Sequence, residues 1–189
     1  MAFRRGFKSQ CERRSIEFRR NLGLQPADAL SADKLAEHLG VTVWSVSDVA
    51  GLATEDQQVL TDQADESWAA MTMRIATDDL VIYKPVQSPG RRNNVIMHEL
   101  AHIVLGHELA EACMLEDGSL VPGNFSQEQE DEADWLAGTL LLPRPALLAI
   151  RARQLSDTDA CSAYLVSRDM LNWRIRMTGV DYQLSRRHA

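Results

Sequence analysis

His98, Glu99 and His102 stand in the run H-E-L-A-H, the first place in the chain where side chains of suitable type are close enough to do chemistry. Histidines at i and i+4 of a helix present both imidazoles on one face, one turn apart, where two nitrogens can hold one Zn²⁺ at ~2.0 to 2.1 Å. The glutamate between them projects beside the ion, placed to take a proton from a bound water rather than to coordinate. Val95, Ile96, Met97, Leu100, Ala101, Ile103, Val104 and Leu105 make the surrounding helix apolar almost all round, so it is expected to be buried. Two histidines and a glutamate inside a buried helix require partners.

Two histidines are too few to close a zinc site, and His107 is the nearest further candidate. On a continued helix at ~100° per residue it projects about 180° away from His98, and Gly106 before it is a helix-ending residue. The metzincin arrangement needs glycine at 105 and histidine at 108, where this chain has Leu105 and Glu108. His107 is therefore rejected as a ligand and expected as a surface or substrate-side group. Other zinc hydrolases take a glutamate from a later helix, and SQEQEDEADWLAGTLLLP offers several. Glu130 and Asp134 share a helical stripe with Ala133, Ala137 and Leu141, a face able to press against another helix, whereas Glu132 points elsewhere. Helical geometry thus favours Glu130 over Glu132 as third ligand, with Asp134 one turn on to accept the free N–H of a zinc-bound histidine.

The elements that position these groups are read from periodicity and caps. Lys8 to Asn21 predicts a moderately amphipathic surface helix, and Ser31 caps a short one that stops at Gly40. Ser67 to Ala76 and Leu80 to Tyr83 predict strands, with Asp78 and Asp79 as the turn between them. The LVIY strand is the expected edge for pairing with an extended substrate. Asn93 or Asn94 is expected to cap the histidine helix, and a box of Ser126 and Gln129 the acidic one. Two or three further helices follow, one running from Ser167 to near Gly179. The expected fold is α+β, mainly helical with a small twisted sheet, in one domain over 1–189. Within it, 1–60 is a helical N-terminal part, 61–143 carries the strands and site helices, and 144–189 is a helical C-terminal part.

Charge and cysteine usage narrow the setting. The net charge of -7 is uneven: between Arg92 and Arg144 there is no Lys or Arg, and the acidic block begins at the histidine pair, where it would attract cations. No run approaches the ~20 apolar residues that span a bilayer, and MAFRRGFKSQCERR lacks a secretory apolar segment, so a soluble cytoplasmic protein with no membrane partner is expected. Cys11, Cys113 and Cys161 lack metal-ligand spacing and fit a reducing compartment.

The two central motifs carry a resemblance. R-R-N-N-V-I-M-H-E-L-A-H-I-V-L-G-H followed by E-D-E-A-D-W-L-A-G-T-L-L-L-P resembles the ImmA/IrrE family of bacterial metallopeptidases, whose second signature is E-x-x-A-D-x-F-A-x-x-L-L-x-P. LAEHLGV and YLVSRDMLNWRIRMTG extend the likeness more weakly. The resemblance implies a zincin-like domain with a thermolysin-like zinc helix pair, Glu130 as third ligand and Asp134 in support. It further implies a protein substrate, commonly a helix-turn-helix repressor whose cleavage derepresses stress or mobile-element genes. Leu136 stands where the family usually has Phe, and Asn93 and Asn94 precede the helix; neither departure touches the chemistry.

Two other classes compete. LAEHLGVTVWSVSDVAGL fits a helix-turn-helix with Gly40 at the turn and Val43 to Val49 as recognition helix, which would make a DNA-binding regulator. That segment offers no Arg, Lys, Asn or Gln to read bases or hold phosphates, and its β-branched residues also suit a strand, so direct nucleic-acid binding is not expected. Arg168, Arg174 and Arg176 are expected on an amphipathic C-terminal helix. A zinc-bound, non-catalytic interaction module is the third class, and the intact Glu99 counts against it. The leading expectation is a zinc endopeptidase in which His98, His102 and Glu130 hold one ion and Glu99 is the base. Tyr83 and His107 are both candidates for the oxyanion, with nothing in the sequence to choose between them.

Overall fold

The computed structural model describes residues 3–62, 68–75, 77–85, 88–108, 113–114, 120–121 and 126–186. Among these it is α+β and mainly helical, with one small three-stranded mixed sheet beside the helices and a two-stranded antiparallel ribbon of Cys113–Met114 with Leu120–Val121. Expected Ser67 and Ala76, and the acids Glu111, Glu116 and Asp117, lie outside the described residues.

Helix α1 (Phe7–Asn21) buries Phe7, Cys11, Ser15 and Arg19, one residue per turn, against the helix that carries the acidic motif. It is the expected amphipathic surface helix, its outer side exposed, but Arg19 on the inner face is wholly buried and is satisfied by oxygen acceptors of the protein rather than by water. Its Nη2 donates to Leu140 O at 2.8 Å, its Nε to Asp28 O at 2.9 Å and its Nη1 to Ser15 Oγ at 2.7 Å. Burial works against its charge and lowers its pKa to about 10, still well above neutrality.

Helix α2 (Ala32–Leu39) follows the predicted caps, with Ser31 Oγ accepting from Lys34 N and Gly40 left-handed at φ 71°. The next residues do not form a recognition helix. Thr42–Ser45 is strand β1, followed by a 3₁₀ turn over Val46–Asp48 that Ser45 and Asp48 close as a capping box. The strand alternative prevails here because β1 finds a parallel partner in Leu80–Tyr83. A short helix, α3 (Thr54–Thr61), leads on to β2 (Ala70–Ile75) and β3 (Asp78–Tyr83), which pair antiparallel. Asp78 and Asp79 thus belong to β3 rather than to the turn.

The sheet order is β1-β3-β2, which makes β3 the central strand. Both of its edges are occupied, so LVIY cannot accept an added strand; among the described residues the edges are β1 and β2. Val43, Val81 and Thr72 form one row across the sheet, with Val81 fully buried, and this face packs on the histidine helix.

That helix, α4 (Pro89–Leu105), begins earlier than predicted, with Ser88 as N-cap and Pro89 in the first turn. Asn93 and Asn94 sit inside it and act as ties instead of caps. Asn93 is buried, its Oδ1 accepting from Ala32 N at 2.7 Å and its Nδ2 donating to Leu165 O at 2.8 Å, while Asn94 Nδ2 donates to Ser167 Oγ at 2.8 Å. Gly90 permits the close approach, since a Cβ there would lie 2.7 Å from the Val166 carbonyl carbon.

Helix α5 (Gln127–Leu141) lies against α4 and buries Ala133 and everything from Trp135 to Leu141. Ser126 is its N-cap residue but its side chain makes no cap hydrogen bond, so the predicted box does not form. Its C-terminal carbonyls are held by two buried arginines: Arg19 from α1, and Arg174, whose Nε donates to Leu142 O at 3.1 Å. Cations at a helix C-terminus oppose the negative end of its dipole and use carbonyls that have no helical donor. Four helices complete the described chain: α6 (Arg144–Ala152), α7 (Asp157–Tyr164), α8 (Arg168–Thr178) and α9 (Val180–Ser185). α8 has the predicted bounds, capped by Ser167 and ended by Gly179, and Arg174 on it is buried rather than facing outward. No described helix is long and apolar enough to cross a membrane.

Candidate metal centre

Helices α4 and α5 bring the predicted ligands together. His98 Nε2 is 3.0 Å from His102 Nε2 and 3.2 Å from Glu130 Oε2, and His102 Nε2 is 3.5 Å from Glu130 Oε1. One ligand atom from each of the three lies within 4.8 Å of the other two, the spacing of a group that can share one ion. His98 turns its other nitrogen to the second carboxylate of the stripe, with Nδ1 2.9 Å from Asp134 Oδ1.

The electrostatics of this cluster call for a cation. Among the described residues Glu130 has ion-pair contacts only with His98 and His102, and no Lys or Arg balances it. Burial disfavours a charge on His98, but hydrogen bonds to Asp134 and Glu130 and the field of Glu99 outweigh it and lift its pKa to about 10. His102 is driven the other way, down to about 4, by burial and then by the charge on His98. The hydrogen bond from His98 holds Glu130 below its ordinary range against the effect of burial, with the fields of His102, His98 and His107 adding to the lowering. One proton thus sits at the centre of two imidazoles and two carboxylates, in the place a divalent ion suits better.

Glu99 leaves the ligand group, as its spacing predicts. Its Oε2 accepts a 2.6 Å hydrogen bond from Thr72 Oγ1 on β2. Burial raises its pKa, opposed by Thr72 and by the charge on His98. Thr72 is a partner the sequence did not announce: it is an ordinary strand residue that only sheet register puts over Glu99.

The remaining candidates are placed differently from expectation. Tyr83 lies against Arg92, whose guanidinium carbon is 4.5 Å from the ring centroid and which also pairs with Asp33. That contact is nearly two helical turns before His98, so the structure does not bring Tyr83 to the ligand group. His107 is neither a surface group nor on the far side of the helix. Gly106, left-handed at φ 71°, ends α4, and His107 N–H turns back to His102 O at 3.1 Å. Its side chain is only 7% exposed, with Nδ1 3.0 Å from His102 Nδ1 and Nε2 3.4 Å from Glu132 Oε2. The projection failed because it continued the helix through Gly106 to His107, two residues past its last turn. Glycine followed by histidine at a helix end was the available signal. Beside His98 and Asp134 a cleft of about 350 Å³ opens, with Val95, Ala137, Met170 and Trp173 as its apolar lining and Arg91, Asn94, Ser167 and Asp169 as its polar lining.

Residues 59–176 match the model of the IrrE N-terminal-like domain family, Peptidase_M78, a stretch that holds the sheet strands β2 and β3 and both site helices. The chain belongs to this family, and it carries a metallopeptidase-type domain. A search of the curated proteins finds no match. Among solved structures, a Mycobacterium tuberculosis transcriptional regulator shares the fold, with a TM-score of 0.51 at 16% identity over 92% of this chain. The chain spans 47% of that protein's length.

Proposed function

We propose that the protein is a zinc-dependent endopeptidase with a zincin-like centre, in which His98, His102 and Glu130 hold the ion. The observation that carries this is the convergence of two imidazole nitrogens and one carboxylate, with a second glutamate, Glu99, beside them but outside the ligand group. The donor set, two histidines and a carboxylate without a balancing arginine or lysine, suits Zn²⁺. When bound, zinc would acidify a water and polarise the scissile carbonyl.

The chain's own groups divide the remaining work. Thr72 occupies Oε2 of Glu99 and leaves Oε1 as the oxygen that takes the proton of the attacking water and returns it to the leaving amine. Asp134 fixes the His98 ring through Nδ1. An extended substrate is assigned to β2, whose second side has no strand partner among the described residues and which already carries Thr72, in place of the central β3. The cleft beside His98, lined by both apolar and polar groups, would take one substrate side chain. The family resemblance supports a helix-turn-helix transcriptional repressor as the protein cleaved, in the cytoplasm, in a stress or mobile-element response.

Zinc-loaded chain incubated with a panel of helix-turn-helix repressors, followed by intact-mass spectrometry, tests this. Discrete fragments are expected with wild type, none with a chelator or with Glu99→Gln. The same fragments from Glu99→Gln would overturn the assignment of the base.

A further inference from the structure

His102 reaches the ligand group through Nε2, so its ring proton must sit on Nδ1 when an ion is held. A metal-bound histidine almost always donates that N–H to an oxygen acceptor, as His98 does to Asp134. Among the described residues no carboxylate pairs with His102 Nδ1. The atom 3.0 Å away is His107 Nδ1.

With an ion held on His102 Nε2, this contact admits one tautomer arrangement. If His102 Nδ1 donates, His107 Nδ1 accepts and carries no proton, which puts the His107 proton on Nε2. Nε2 faces Glu132 Oε2 at 3.4 Å, and an acceptor there is what the arrangement requires. Glu132 is in turn approached by Arg4 Nε at 3.8 Å, and Arg14 Nη1 donates to Val104 O at 2.9 Å, so the start and middle of the N-terminal region brace the end of α4. The His107 and Glu132 side chains are 7% and 15% exposed, so water competes weakly for these contacts.

We propose that His107 is a positioning residue for the metal centre: its Nδ1 accepts the Nδ1–H of His102, and Glu132 anchors it from the other side. The two ligand imidazoles are then supported unequally, His98 by a carboxylate directly and His102 by a carboxylate through an intervening imidazole. Gly106 makes this possible, since the left-handed residue folds His107 back over the last turn of its own helix. Glu132 acquires a function distinct from that of Glu130, two residues away, with the two carboxylates serving the inner and outer ends of one chain of contacts. The inference rests on the metal-centre assignment above.

The test combines zinc affinity with ring-nitrogen spectroscopy. Long-range proton–nitrogen spectra of zinc-loaded, ring-labelled wild type are expected to show His102 protonated on Nδ1 and His107 on Nε2; His107 protonated on Nδ1, alone or with Nε2, overturns the proposal. Chelator competition is expected to give a zinc Kd weakened by about 10–100-fold in His107→Phe and more modestly in Glu132→Gln. In His107→Asn, whose Oδ1 can accept in place of Nδ1, affinity is expected to recover most of that loss. Wild-type affinity in His107→Phe overturns the relay while leaving the centre standing, whereas a wild type that binds no zinc removes both. The wild-type spectrum decides the matter even where a variant does not fold.

Discussion

Thr72 Oγ1, on the edge strand β2, donates a 2.6 Å hydrogen bond to Oε2 of Glu99, the residue that follows the first histidine of the centre. The strand assigned to substrate pairing and the base assigned to water activation are thus in direct contact. Thr72→Val preserves the shape and removes the donor. Glu99, already raised by burial, then loses the hydrogen bond that lowers it, and its pKa rises further. A base works only when deprotonated, so the acid limb of the kcat/KM profile moves to higher pH. At neutral pH kcat/KM falls about tenfold, equivalent to ~1.4 kcal/mol, and Thr72→Ser retains most of the activity. An acid limb unmoved in Thr72→Val would contradict this role.

Zinc uptake is expected to release a proton. With His98 at about 10 and His102 at about 4, the metal-free centre holds one proton at neutral pH, on His98. Zinc must displace it, so affinity rises with pH, roughly tenfold per unit, and levels off as pH passes through about 10. Metal-free stability follows the opposite course. The His98 contribution is present in full below its ordinary value near 6.5 and is lost as pH rises through about 10. Calorimetric titration in buffers of different ionisation enthalpy checks the first statement, and thermal melts of metal-free protein the second. Zinc affinity independent of pH would contradict the shared-proton description.

Much of the centre was legible because it obeys helical periodicity. Histidines one turn apart, and a carboxylate stripe at Glu130 and Asp134, need only a helix to become adjacent, and Ser31, Gly40, Ser167 and Gly179 cap as their types predict. What escaped depended on geometry that periodicity does not carry. His107 turned inward because Gly106 changed the chain direction. The order of the strands, and with it the edge role of β2, came from the parallel pairing of β1, whose sequence also fitted a recognition helix. Asn93 looked like a cap because its helix started one turn late in the prediction; its amide instead bridges α2 to the segment before α8.

The arginine clamp on the C-terminal end of α5 is expected to stabilise the fold. Arg19→Met removes the donors that reach Leu140 O, Asp28 O and Ser15 Oγ in a dry site. Leaving buried acceptors without partners costs about 1 to 3 kcal/mol each in the worst case, and a total loss of about 3 kcal/mol is expected. Arg19→Lys recovers little, because an ammonium cannot span the same fork. Chemical denaturation of the metal-free chain measures this, and a midpoint unchanged in Arg19→Met would show that the clamp carries no stability.

Metal content tests the central claim most directly. Wild type and Glu99→Gln, dialysed against metal-free buffer after zinc loading, are expected to retain one zinc per chain by mass spectrometry, with Glu99→Gln inactive. Glu130→Ala is expected to retain none while keeping its helical circular dichroism. Wild type without zinc, or Glu130→Ala with wild-type zinc affinity, would contradict a centre built from His98, His102 and Glu130.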